Sequence, residues 1–170
     1  MSARHGAAKL SAEGNAGVRL KKESGVRSEE SECYRTSSDE ETVELGRTVA
    51  RSLSEKACVL LIGNLGAGKT TLAKGIIHGL GFAEPDEVAS PTYTLIHEYG
   101  EGRVYHIDLY RLDNPEEVAT LGLDDILDRE AVVLIEWGER FPALMPRPRI
   151  EISLSAVGDF DRQIEIINIL

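Results

Sequence analysis

Six consecutive apolar residues, Ala57-Cys58-Val59-Leu60-Leu61-Ile62, run up to Gly63 without a polar interruption. Such a run predicts a β-strand covered on both faces, as in a parallel sheet. Val132-Val133-Leu134-Ile135 predicts a second strand of the same kind. Upstream, Leu45, Val49 and Leu53 recur at i, i+4 and i+8, the buried stripe of one helix. Ser37 or Ser38 is placed to cap it, with Glu40 or Glu41 three residues on completing a capping box. Residues 69 to about 80 predict a helix stopped by Gly79 and Gly81. Residues 92–99 and 103–110 read as strands joined by Gly100-Glu101-Gly102. Pro115 suits the first turn of a further helix, with Asn114 as its cap. Residues 150–157 and 163–170 alternate apolar and polar positions around Gly158-Asp159, which predicts a closing antiparallel pair. Strands alternating with helices place the chain in the α/β class.

Composition changes this picture at the N-terminus. Residues 1–28 carry six basic side chains against two acidic ones, a net +4, while the whole chain of 170 residues is at −10 and residues 29–170 at −14. The first 36 residues are rich in Ser, Gly, Ala and charge and lack sustained apolar periodicity, so they are expected to be a disordered tail. A transit peptide is the alternative for so basic a segment, but Glu13, Glu23 and Glu29-Glu30 speak against it. Residues 37–170 are then one domain. The 42% apolar content fills a single core, and no run approaches the roughly 18 apolar residues of a membrane span. A domain this acidic repels nucleic acid. Cys33 and Cys58 are too few for a disulfide framework and lack metal-ligand spacing, which makes the cytoplasm the expected compartment.

The sharpest chemistry lies directly after the first buried strand. Gly63-Asn64-Leu65-Gly66-Ala67-Gly68-Lys69-Thr70 satisfies G-x-x-x-x-G-K-[ST] in full. Its glycines let successive backbone N–H groups turn inward on phosphate oxygens. Lys69 adds a charge for the β- and γ-phosphates, and the Thr70 hydroxyl can bind Mg²⁺. Thr71 follows, and the helix that opens here points its positive end at the same anion. With this loop the fold expected is a P-loop NTPase-like three-layer sandwich, with a mixed, mainly parallel central sheet and an antiparallel C-terminal strand pair.

Phosphoryl transfer also needs carboxylates beside the loop, usually at the end of a neighbouring buried strand. Glu136 follows Val132-Val133-Leu134-Ile135, and Asp108 follows Val104-Tyr105-His106-Ile107. Both can serve, one directly on the metal and the other through water. Ser90-Pro91-Thr92-Tyr93-Thr94 lies where nucleotide-sensing loops of such folds sit, so Thr92 or Thr94 can reach a γ-phosphate or metal. Trp137, the only tryptophan, is a core anchor or an aromatic wall of the site. His97 and His106 read as strand-packing residues, Cys58 as core.

Absences narrow the class. The chain has no N-K-x-D guanine-reading motif and no L-S-G-G-Q-like signature. A small-molecule kinase remains the alternative, although Arg103, Arg111, Arg129 and Arg140 are scattered rather than gathered into a lid. A nucleotide-gated binding module without turnover is a third reading.

The strings GNLGAGKTT, SPTYTLIHEY, VYHIDLYRL and VVLIEWGER, in this order and at these separations, resemble the TsaE (YjeE) family across about residues 37–157. These are bacterial ATPases required for threonylcarbamoyladenosine at position 37 of tRNAs reading ANN codons. The resemblance implies ATP and Mg²⁺ as ligands, with Thr70 and Glu136 on the metal and Asp108 as the second acid. It places Asn64, Leu65, Gly66, Ala67, Gly68, Lys69, Thr70 and Thr71 around the phosphates and Thr92 and Thr94 in a switch-like loop. Trp137 matches the nucleotide-side tryptophan, and Thr42 a region near the base. It further implies weak hydrolysis alone, work with the TsaB–TsaD heterodimer, and contact with tRNA only through that complex. Arg111, beside the Asp108 strand end, can bridge to a partner or to the phosphates. The extension of about 36 residues departs from the family core and leaves room for a tail-specific partner.

Overall fold

The computed structural model describes residues 31–170. The expectation of an unstructured tail lies outside the described residues for 1–30, and it is corrected for 31–36. Those six residues form an edge strand, β1 (Ser31–Thr36), paired antiparallel with the last strand of the chain, β7 (Arg162–Ile169). Tyr34 and Thr36 turn inward while Arg35 between them is exposed. A strand carried by one aromatic and one threonine has too little alternation to register as a hydrophobic pattern.

Helix α1 (Asp39–Ala50) is capped by Ser38, whose hydroxyl accepts from the Glu41 amide at 3.2 Å, while Glu41 reaches back to the Ser37 amide at 2.7 Å. Strand β2 (Ala57–Ile62) enters the phosphate loop and α2 (Lys69–Gly79) leaves it. Then come β3 (Ile96–Tyr99), β4 (Val104–Asp108), α3 (Pro115–Ala119), α4 (Leu123–Asp128), β5 (Val132–Glu136), β6 (Arg149–Ala156) and β7. The strands of the described residues form one sheet in the order β1-β7-β6-β2-β5-β4-β3. Strands β6, β2, β5 and β4 are mutually parallel, β7 and β3 run antiparallel to them, and β1, antiparallel to β7, points the same way as the central four. The fold is α/β with a mixed, mainly parallel sheet, as expected, and the C-terminal pair is part of that sheet because β6 lies beside β2.

Buried strands divide their side chains between two cores. Val59, Leu61 and Leu134 face Leu45, Val49, Leu72 and Ile76 of α1 and α2. Leu60, Ile107, Val133 and Ile135 face Val118, Leu123, Ile126 and Phe141 on the other side. Burial pushes the Cys58 thiol up to about 12, an inert core group. Helices α1 and α2 cross at glycines. A methyl on Gly46 would stand 2.5 Å from the Leu72 carbonyl, and one on Gly75 would run into the carbonyl of Val43. That close crossing seats the first turn of α2, and with it the phosphate loop, firmly on the sheet.

The strands expected over 92–99 and 103–110 are both shorter in the structure, the second spanning Val104–Asp108. The strand foreseen from 92 begins only at Ile96, because the Leu95 amide donates to the Pro91 carbonyl and Leu95 takes a positive φ of 68°, which makes 92–95 a turn. The helix opened by Asn114 and Pro115 stops at Ala119, and Gly122, at φ 69°, starts a separate α4.

Candidate functional site

The loop between β2 and α2 bends where its glycines allow it. Gly68 holds φ 102° as the residue before α2, a conformation side chains disfavour. A Cβ on Gly63 would stand 2.5 Å from the Leu154 carbonyl of β6. At the outer bend, a Cβ on Gly66 would meet nothing within 4 Å, so the loop's mouth is open. An open groove of about 160 Å³ beside it is lined by Asn64, Leu65, Ala67, Leu154, Ser155 and Ala156.

Lys69 is 5% exposed and folds back on the loop, its Nζ donating to the carbonyls of Gly63 (2.6 Å) and Asn64 (3.0 Å). Burial holds its pKa below the ordinary lysine value, opposed by the charges of Glu136, Glu139 and Asp108. The same ammonium lies 4.2 Å from the Trp137 ring centroid, and that indole packs on Tyr110 at 5.0 Å. Trp137 adopts φ 65°, rare for a bulky residue and concentrated at functional sites, which carries the chain round directly behind Glu136. Arg140, three residues on, secures the neighbouring strand end by donating to the carbonyls of Leu109 (3.3 Å) and Tyr110 (2.6 Å).

The two acids emerge side by side, since Asp108 and Glu136 are register partners at the ends of β4 and β5. Both are buried, on the face that packs against α2. Their surroundings differ. Glu136 Oε1 accepts from the Thr70 hydroxyl at 3.0 Å and is 2.8 Å from His106 Nε2. Asp108 is held by the loop chain instead: Oδ2 accepts from Thr92 (2.8 Å) and Ser90 (3.2 Å), and Oδ1 from the Tyr110 amide (2.8 Å).

The structure thus brings together Lys69, Thr70, Glu136, Asp108, Thr92 and Trp137. It does not bring in Thr94, whose hydroxyl pairs outward with His97 at 2.8 Å. Thr42 is buried, its hydroxyl donating to the Ser38 carbonyl at 3.0 Å and paired with Thr36 at 2.7 Å. That hydroxyl shapes the junction of β1 and α1 rather than facing open space. Arg111 lies over the exposed Tyr93 ring at 5.1 Å.

Three residues were not picked out by sequence as members of the site. His106, read as a packing residue, is fully buried as expected but is also the partner of Glu136. Arg162 of β7 directs Nη2 at the Gly66 carbonyl (3.4 Å) and Nη1 at the Asp161 carbonyl (3.0 Å), which places a guanidinium beside the loop. Glu139 is half-buried with Oε2 lacking any hydrogen-bond partner among the described residues. Burial raises its pKa above the ordinary carboxylate value, with its own and the Gly63 backbone amides and the charges of Lys69 and Arg140 pulling the other way.

A raised carboxyl pKa means that the fold binds this proton more tightly than the unfolded chain does. Its ionisation therefore costs stability as pH rises from the ordinary carboxylate range through the folded value. Glu139→Gln should be more thermostable than the natural chain at about pH 8, with the gap closing as pH falls toward the ordinary range. Melting curves across a pH series check this, and a gap that widens on acidification would refute the assignment.

Comparisons with known proteins converge on one description. The family model described as "Threonylcarbamoyl adenosine biosynthesis protein TsaE" matches residues 36–164. A "tRNA threonylcarbamoyladenosine biosynthesis protein TsaE" from Nostoc is 44% identical over 133 residues, 75% of this chain and 80% of the relative. One of the same description from Haemophilus influenzae is 44% identical over 117 residues, 67% of this chain and 72% of the relative. The crystal structure of Bacillus subtilis YdiB superposes with a TM-score of 0.68 at 30% identity, covering 85% of this chain and 90% of that one.

Proposed function

The chain belongs to the TsaE family of tRNA threonylcarbamoyladenosine biosynthesis, and from that membership we propose that it is a Mg²⁺-dependent ATPase acting with a TsaB–TsaD complex. The observation that carries the reading is that the Thr70 hydroxyl at the start of α2 and the Glu136 carboxylate at the end of β5 are joined, Oγ1 to Oε1 at 3.0 Å, beside the open phosphate loop, with Glu136 Oε2 left without a hydrogen bond among the described residues. An alcohol and a carboxylate at that spacing fit Mg²⁺, which is commonly held by one or two protein oxygens together with substrate phosphates. When bound, the ion would offset charge on the β- and γ-phosphates.

The chain's own groups supply the rest. The amides of 64–70 and the N-terminus of α2 bind phosphate. Lys69 would exchange two backbone carbonyls for phosphate oxygens, a short swing of a side chain already at the loop. Asp108, tied to Ser90 and Thr92, links the acid pair to a loop that can respond to the γ-phosphate. Thr94 and Thr42, engaged with His97 and with Ser38 and Thr36, shape these segments, while Thr71 follows Thr70 in the first turn of α2 beside the phosphates.

Five of the large apolar side chains left exposed (Leu65, Tyr93, Tyr110, Val157 and Phe160) lie in loops at the edge of the sheet that carries the phosphate loop. A rim of that kind favours a protein partner over direct RNA contact by so acidic a domain. A cytoplasmic protein follows from this role, and no helix among the described residues is long and apolar enough to cross a membrane.

The test is phosphate release with and without TsaB–TsaD. Free phosphate that rises on adding the partners is expected. Transfer of the γ-phosphate to a small acceptor would establish the kinase alternative instead.

A further inference from the structure

We propose that His106 is a positioning residue that fixes the rotation of the Glu136 carboxylate, so that Oε1 stays turned to the protein and Oε2 is left for the metal or its water. The proposal rests on the Mg²⁺-nucleotide reading above.

His106 lies on β4 between Val104 and Asp108, opposite Leu134 of β5, and is completely buried. Its Nε2 approaches Glu136 Oε1 at 2.8 Å, the same oxygen that accepts from Thr70. A carboxylate only accepts, so Nε2 is the donor. The other ring nitrogen, Nδ1, is buried without a partner among the described residues. An unpaired buried polar atom is costly, and an apolar side chain would fill the space without that cost. The bond to Glu136 is thus the one polar contact that accounts for a histidine here.

The terminal torsion of glutamate is soft, with no deep staggered wells. One donor on Oε1 limits it weakly. Two donors converging on that oxygen from different elements, α2 and β4, limit it strongly. The Thr70 oxygen is the one expected to be engaged by the ion, whereas His106 stays inside the sheet's packed face. It is the donor that holds the acid before and after the metal arrives. Oε2 makes no hydrogen bond among the described residues, which is the arrangement an acid serving a cation needs.

The test compares the full-length natural chain with His106→Leu, which removes the donor at similar volume, and His106→Gln, whose amide reaches the position of Nε2. ADP affinity is measured by calorimetry with Mg²⁺ and with EDTA, so the readout is independent of turnover. In His106→Leu, Mg²⁺-free affinity should stay within about twofold while the gain from Mg²⁺ falls about threefold, part of one hydrogen bond's worth of orientation. His106→Gln should recover most of that gain. A packing role predicts the reverse order, with leucine tolerated better than glutamine and both affinities shifting alike. Either that pattern or an undiminished Mg²⁺ gain in His106→Leu overturns the proposal. No Mg²⁺ gain in the natural chain would instead bring down the metal reading on which it stands.

Discussion

Replacing Lys69 with alanine is expected to weaken Mg·ATP binding by about a hundredfold or more while the protein still folds. The ammonium is the single cation at the heart of the loop, and charge-assisted bonds to two phosphates contribute about 3 kcal/mol together. Its present contacts are with the carbonyls of Gly63 and Asn64 and the face of Trp137, all of which remain without it. Lys69→Met, which keeps most of the aliphatic stem, separates charge from packing. It should bind as poorly as the alanine variant and melt close to the natural protein. Near-normal affinity in Lys69→Met would mean that the loop does not grip a triphosphate in the way described.

Glu136→Gln should separate binding from turnover. The amide keeps the size of the acid, and its oxygen can still accept from His106 and Thr70, so the ends of β4 and β5 should not move. The negative charge that would attract Mg²⁺ is gone. Phosphate release in the presence of TsaB–TsaD is expected to fall by about 100- to 1000-fold, the range seen when one electrostatic contributor to a transition state is removed. ATP affinity should change only a few-fold. Turnover at the natural rate in this variant would strip Glu136 of its role on the metal and transfer the burden to Asp108, whose oxygens are already engaged by Ser90, Thr92 and the Tyr110 amide.

What the chain's pattern conveyed and what it withheld follow from where each residue's role is decided. The phosphate loop was legible because its chemistry is local: a tight turn after a buried strand needs glycine, and the charge must follow at once. Glu136 and Asp108 were legible for a similar reason, as acids ending apolar strands. His106 was not. Its bond to Glu136 depends on β4 lying beside β5 in a register that sets Asp108 against Glu136, and a strand's own sequence does not name its neighbour. Arg162 was hidden by distance, since it approaches Gly66 only because β7 follows β6 into the sheet beside β2.

Other losses were of pattern. Strand β1 carries mostly polar residues and owes its place to the β7 backbone. Gly46 and Gly75 look like weak points in helices until the two helices are seen to touch through them. The turn at 92–95 replaced a strand because Pro91 and the positive φ of Leu95 close the backbone on itself, which leaves Thr92 facing Asp108 and Thr94 facing His97. One expected loop thus became two side chains with opposite directions.

A nucleotide held by backbone amides and Lys69, with a divalent ion shared between Thr70 and Glu136, is the core of the proposed function. Calorimetric titration of ATP into the full-length chain, first with Mg²⁺ and then with excess EDTA, tests it most directly. Saturable binding at one site per chain, weakened about tenfold by chelation, is the predicted result. No heat of binding from well-folded protein in the presence of Mg²⁺, or the same affinity with and without the ion, would contradict it.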